Sequence, residues 1–419
     1  MRIKSKLTLM SFLQFFVWGA WLITVANFWF GTKHWEGSQF GVAFSTLGLA
    51  SIFMPALTGI IADRWLNAEK LYGLLHIGYA LSLVYLAQVN TPGAFIWVMG
   101  IAMFFYMPTI ALSNSIAYTI LKNDGYDVVK VFPPIRVWGT IGFIVAMWVT
   151  NLSGNKATEV QFYIAAVFAL ILGVYSFTLP KCPPQNLTSK GASIIEVLGL
   201  NAFRLFGTYK MALFFIFSMF LGAALQLTNM YGDLFLSEFE SIPQYKDSFI
   251  VKSSTLIMSI SQISETVFIL AIPFFLKKFG IKKVMLISMF AWVIRFGFFS
   301  YGNPEGLGLL LIIVSNIVYG MAFDFFNISG SLFVETSTDS KIRSSAQGLF
   351  MMMTNGFGAI MGSLASGALI QQFFTAADGT KNWHEIWLTF ALYALVIAVL
   401  FALMFRHKHD PKEVENFAH

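Results

Sequence analysis

The sequence has very little charge. Only 11% of its 419 residues are Asp, Glu, Lys or Arg, against about 25% in ordinary soluble chains. A water-facing surface for a chain this long needs more, so a soluble globular protein is excluded. A single cysteine, Cys182, leaves no disulfide framework and no cysteine metal site. The histidines form no cluster, and His76, alone in an apolar run, reads as packing or incidental exposure rather than a proton relay. No P-loop, HExxH or GxSxG motif stands in a suitable context, so the common enzyme readings fail and no metal or cofactor is expected. Short alternating strands are lacking too, which argues against a transmembrane barrel.

What the chain has is apolar residues, 57% of the total, in recurring runs of about 20, each able to cross a hydrocarbon core. Backbone polar groups in lipid are satisfied only within the segment, so such runs are helices. Met1 to Lys6 is basic and leads into an apolar stretch from Leu7 to Phe30 that holds Trp18, Trp21 and Trp29. This is long for a signal-peptide core and reads as a retained first span. Spans are expected to begin near Leu7, Gly41, Leu71, Ala94, Ile135 and Gln161, then near Met211, Val251, Val284, Leu307, Ser344 and Glu385. The longest polar interval, Lys181 to Lys210, lies between the two sets. The expected fold class is therefore an all-α membrane protein: twelve transmembrane helices in two pseudo-symmetric six-helix halves, the major facilitator layout. Residues 1–180 and 211–405 are the two bundles, 181–210 a cytoplasmic central loop and 406–419 a cytoplasmic tail.

The net charge of +6 does not point to nucleic acid, because the basic residues sit between spans. With both termini inside, cytoplasmic segments hold about 20 of the 27 basic residues, and the other side holds Lys33, Lys156, Lys246, Lys252 and Lys381. Cys182 then falls on the cytoplasmic side. The loop after span two, GIIADRWLNAEK, resembles the major facilitator signature through Gly59, Asp63, Arg64 and Lys70, with Leu66 or Asn67 in place of an expected glycine. Such a loop can hold two helices together by charge pairing and helix-end interactions. An ordinary basic topogenic loop is the alternative.

Charged side chains at mid-bilayer cost roughly 2.5–3.5 kcal/mol, so those inside spans are functional candidates by default. Glu265 lies mid-span in LIMSISQISETVFIL, with Gln262 three residues earlier on the same face. A titratable carboxylate there suits a proton carrier or a ligand acceptor; a structural buried pair is the alternative. Asp324, in GMAFDFFNISG, is the second titratable candidate, beside Tyr319 and Phe323 at i, i+4. Arg136, Thr140 and Phe143 form an i, i+4, i+7 stripe of cation, hydroxyl and ring. Arginine stays charged, so burying it requires an acceptor; near the span end, snorkelling is the other reading. Gln226, Asn229 and Asp233 form a similar stripe, whose carboxamides donate and accept, as sugar hydroxyls or a nucleobase edge require. Interhelical hydrogen bonding serves as well. Arg295 has no polar companion on its own face and reads as structural, or as the partner of a neighbouring helix.

Several segments carry a family resemblance: SFLQFFVWGAWL from Ser11, FMPAL from Phe53, FPPIRVWGTIGFI from Phe132, FFIFSM from Phe214, IMSISQISET from Ile257, FDFFNISGS from Phe323, and SAQG with MMMTNGFG from Ser345. Across essentially its whole length the chain resembles the nucleoside:proton symporter family of the major facilitator superfamily. The resemblance implies a non-enzymatic, proton-coupled nucleoside importer in a bacterial cytoplasmic membrane, working as a monomer by alternating access. It implies a pocket built from Arg136, Thr140, Phe143, Gln226, Asn229, Gln262, Glu265, Tyr319 and Phe323, with Glu265 and Asp324 for proton coupling. Its partners are then the nucleoside, protons and the lipid bilayer. A sugar:proton symporter of the same architecture fits the polar residues as well, while nucleosides additionally need a ring against the base. A non-transporting membrane sensor would be expected to carry a soluble output domain, which the tail after Phe405 is too short to hold.

Overall fold

The computed structural model describes residues 2–184, 200–339 and 342–408. The chain divides into two compact units, Met1–Leu198 and Gly199–His419. Much of the expected central loop (185–199) and of the tail (409–419) lies outside the described residues.

The first unit holds α1 (Ile3–Gly19), α2 (Gly37–Arg64), α3 (Ala68–Leu86), α4 (Pro92–Asn123), α5 (Val128–Leu152) and α6 (Val160–Ser176). Past Gly19 the first span continues through irregular turns into a π-helical turn, Asn27–Thr32. The second unit holds α7 (Tyr209–Glu238), then one continuous helical stretch, Ser254–Tyr301. Gly280, at φ 75°, breaks that stretch into α8 (254–279) and α9 (281–301), because a left-handed residue cannot continue a helix. α10 (Gly306–Ser337), α11 (Arg343–Phe373) and α12 (Trp383–Met404) complete the unit. Among the described residues, eight helical stretches, with Ser254–Tyr301 taken as one, are long and apolar enough to cross a membrane by length and composition. α1 and α6, at 17 residues each, stand at the lower limit, and α3 has 19. Among the described residues the β feature is an isolated bridge between Thr375 and Lys381.

Local chemistry sets the helix ends. Pro92 occupies the first turn of α4, where its missing N–H costs nothing, and Thr91 Oγ1 accepts from the Ala94 N–H at 3.4 Å. Asn382 Oδ1 caps α12 through the Glu385 N–H at 3.3 Å. Lysines satisfy carbonyls that the helix ends leave open: Lys6 Nζ donates to Thr178 O just past α6, and Lys282 Nζ to Ala402 O in α12. Leucine and tryptophan face outward along the bundles, with Leu81 68%, Trp97 78% and Leu270 81% exposed, a surface suited to lipid and not to water.

In each unit a helix pair packs backbone to backbone through glycine. In the first, a Cβ on Gly19 would meet the Phe143 backbone, with its Cα at 2.9 Å, and one on Gly142 would collide with the Phe12 carbonyl oxygen. Glycine is what lets α1 and α5 approach backbone to backbone. In the second, Gly222 of α7 faces Thr354 of α11, and Gly362 of α11 faces Ala223 with its virtual Cβ 2.6 Å from the Ala223 Cα. The pairs α1–α5 and α7–α11 hold corresponding places in the two sets of six. At the far end of α7, Glu238 accepts from Lys381 Nζ and Trp383 Nε1, both at 2.7 Å. The Lys381 side chain is nearly buried, so the pair is shielded from solvent screening.

Candidate functional site

In the first unit the stripe on α5 is half-buried at Arg136 and Thr140 and buried at Phe143. The Arg136 guanidinium lies 3.9 Å from the ring centroid of Phe15 on α1, a cation–π contact. The side chain packs back across Gly139, whose virtual Cβ would stand 2.6 Å from an Arg136 guanidinium nitrogen. Phe143 sits at the α1–α5 crossing beside Gly19.

Behind this stripe is a buried network that reading the charged residues misses. Gln14 on α1 donates through Nε2 to Thr109 Oγ1 at 2.9 Å and accepts from the Tyr72 hydroxyl at 2.5 Å. The Tyr106 hydroxyl donates to the Gln14 carbonyl at 2.8 Å, and the Trp18 ring stacks on Tyr106 at 4.6 Å and 8°. His76 is fully buried here, its Nδ1 3.0 Å from the Tyr72 carbonyl oxygen. It packs; it is not incidentally exposed. The signal for this network is Gln14 itself, a carboxamide in a long apolar stretch.

In the second unit Tyr319 of α10 is the junction. Its ring lies nearly parallel to Phe323 (6.1 Å, 10°) and edge-on to Trp292 of α9 (5.9 Å, 88°). Glu265 of α8, Arg295 of α9 and Asp324 of α10 all lie within its electrostatic reach. Both titratable candidates thus act electrostatically on one aromatic residue. Arg295, fully buried, is held by three other helices: Nε donates to Thr228 Oγ1 of α7 at 3.2 Å, and Nη1 to Ser261 Oγ of α8 at 3.3 Å and Ser315 O of α10 at 2.9 Å. Its guanidinium also lies 4.6 Å from the Tyr319 ring centroid. The polar companions missing from its own face come from its neighbours.

The carboxamides behave differently. Gln226 Oε1 and Gln262 Oε1 are buried with no hydrogen-bond partner among the described residues. Such atoms are rare, because leaving a buried acceptor unsatisfied costs about 1–3 kcal/mol. Asn229 is half-buried on the same helix as Gln226. Asp233, one turn further, is buried.

The loop signature lies elsewhere. Gly59 and Asp63 line a cavity in the first unit with Thr58, Ser115 and Cys182, while Arg64 ends α2. Glu69, buried at the start of α3, accepts through Oε2 from the Cys182 backbone N–H at 2.8 Å. Burial, then the Glu69 carboxylate, pushes the Cys182 thiol up to about 12. No group of three or more His, Cys, Asp or Glu among the described residues could hold a metal.

Twelve helices among the described residues, six in each unit, with buried carboxamide oxygens in the second that no described residue satisfies, define a polytopic membrane transporter of major facilitator architecture. The chain belongs to the nucleoside H+ symporter family, whose model matches residues 1–410. It is 50% identical to the xanthosine permease of Escherichia coli (strain K12) over 418 residues, covering 100% of this chain and 99% of that protein. It is also 50% identical to the nucleoside permease NupG of the same organism over 409 residues, covering 98% and 97%. The crystal structure of nucleoside transporter NupG superposes with a TM-score of 0.91, covering 97% of this chain and 100% of that one. These relatives are permeases, not enzymes.

Proposed function

We infer that this protein carries nucleosides inward across a bacterial cytoplasmic membrane together with protons, by alternating access. The observation that supports this best is the family match over almost the whole chain, coupled to the Tyr319 junction. We assign substrate contact to Arg136, Thr140 and Phe143 on α5, and to Gln226, Asn229, Gln262, Glu265, Tyr319 and Phe323 on α7, α8 and α10. Gln226 and Gln262 support the assignment, since a ligand supplies the donors that their buried oxygens lack. Glu265 and Asp324 are assigned the proton, and Gly59, Asp63 and Arg64 the joining of α2 to α3. One chain contains both units, so a monomer suffices for the cycle.

The test is uptake of radiolabelled nucleosides and sugars by cells expressing the protein, with and without a proton uncoupler. Nucleoside accumulation that collapses with the uncoupler is expected; accumulation of sugars alone would overturn the reading. Phe143→Leu and Phe323→Leu belong in the same assay. Aromatic stacking contributes roughly 0.5–1.5 kcal/mol beyond area, so each should weaken nucleosides by about twofold to tenfold. Ribose-like competitors should be affected less. Equal losses for both ligand types would remove base stacking from the proposal.

Both termini are assigned to the cytoplasm on the distribution of Lys and Arg. Cys182 is a poor reporter of this, because the thiolate is the reactive form and burial, with the Glu69 carboxylate beside it, disfavours that form. Maleimide should leave it unmodified at pH 7 even in permeabilised cells, and Glu69→Gln, which removes the neighbouring charge, should raise its reactivity. Against that silent background, Glu159→Cys and Asp124→Cys place thiols at exposed positions in two successive loops. An impermeant reagent on intact cells should label the first and spare the second. The reverse pattern would invert the orientation.

A further inference from the structure

One motif is left unused by these assignments, MMMTNGFG in α11. Its residues Met352–Gly358 wind as a π-helical turn inside an otherwise α-helical span. Such turns are rare, cost hydrogen-bond geometry, and are frequent at functional sites because they re-aim side chains. This one lies where α7 and α11 touch through Gly222, so its position is fixed by backbone contact.

The turn borders a shallow cleft contained wholly within the second unit. Trp292 of α9 and Phe323 and Phe326 of α10 supply its aromatic walls, and Asn327, Thr354 and Asn355 its polar groups. Thr354 is occupied, since its hydroxyl donates to the Phe350 and Met351 carbonyls at 3.0 and 3.2 Å. The side chains of Asn327 and Asn355 make no hydrogen bond to any described residue, and both are half-buried. Carboxamides left open on an aromatic-walled cleft are matched to a ligand that presents adjacent donors and acceptors on the rim of a flat ring. The cleft is too shallow for a whole nucleoside and suits a ring edge.

We propose that Asn355 and Asn327 read the hydrogen-bonding edge of the nucleobase and so set the preference among bases. This rests on the nucleoside reading above and adds specificity to it. Phe323, already assigned to the substrate, lines the same cleft and takes the face of the ring whose edge the two asparagines meet. The π-helical turn is what delivers Asn355 to that edge.

The experiment is equilibrium binding to purified protein, using uridine, cytidine, inosine and guanosine, with the 2′-deoxy form of each as a sugar control. Asn355→Leu and Asn327→Leu keep the approximate volume and remove the donor and acceptor. Each should change the ratio of affinities between bases by about fivefold or more, while the cost of removing the 2′-hydroxyl stays as in the wild type. Asn355→Gln should recover part of the original ratio, and Asn355→Ser serves if the leucine variant fails to fold. A uniform loss across all four bases, or ratios unchanged, would overturn the assignment of the asparagines. Wild-type protein that binds none of the panel would instead overturn the nucleoside reading, and the two failures are distinct.

Discussion

Glu265→Gln should abolish accumulation of substrate against its gradient while leaving exchange of internal for external substrate largely intact. The substitution preserves shape and hydrogen-bonding capacity and removes the titratable proton of this side chain. Symport requires that protonation and substrate occupancy be linked through a group that titrates in the course of the cycle. Glu265 is the group proposed for that need, because it and Asp324 both act electrostatically on Tyr319 and it sits mid-span, beyond the reach of snorkelling. The accumulation ratio should fall more than about tenfold, toward unity, and uptake should lose its dependence on external pH. Two other outcomes are separable in the same experiment. A carboxylate that only contacts the ligand would lose binding, active uptake and exchange together, at roughly 1–2 kcal/mol for a charged over a neutral acceptor. A structural partner of a buried cation would show as loss of folded protein, restored by a paired neutral replacement. Wild-type accumulation and pH dependence in the Gln variant would remove Glu265 from the mechanism and leave Asp324 as the carrier.

The second large effect concerns packing. Gly222→Val should prevent accumulation of folded protein, because a Cβ at Gly222 collides with the Thr354 carbonyl oxygen and stands 2.7 and 2.9 Å from the Thr354 carbonyl carbon and Cα. The obstacle is backbone and cannot rotate away, so α7 and α11 must separate. Overpacking of a tight contact costs typically 1–3 kcal/mol, and valine adds a branched side chain to the clash. Gly297→Ala is the control: nothing lies within 4 Å of its virtual Cβ, so it should be neutral or slightly stabilising through helix propensity. Detergent-solubilised yield and monodispersity by size exclusion measure both. Equal yields for the two variants would show that the α7–α11 contact yields freely.

The stripes on α5, α7, α8 and α10 could be read because helical periodicity is local: residues three, four and seven apart share a face wherever the helix lies. The apolar walls of those helices make each polar residue conspicuous, which is how Glu265, Asp324 and Gln226 stand out. Asn327 and Asn355 are no less polar, but each lies near a run of Ser, Thr and Asn that satisfies backbone groups in many membrane helices. Whether such a side chain is spent on its own helix or left open depends on geometry of a few tenths of an ångström. Thr354 and Asn355 are adjacent and differ in this respect.

The sequence by itself determined the membrane class, the helical spans and their division into two sets of six. These follow from hydrophobic length and from the rule that a chain in lipid must satisfy its own backbone. It also determined which polar residues sit inside spans. Only the tertiary structure decided what those residues meet: that Arg295, without company on its own helix, is held by α7, α8 and α10; that His76 is packed away against Tyr72; and that Tyr319 stands within electrostatic reach of both carboxylates. The physical reason is that periodicity specifies a face and not the neighbour opposite it. The neighbour is set by where glycines such as Gly142 and Gly222 let two backbones touch, contacts with Phe12 and Thr354 that each join residues more than a hundred positions apart.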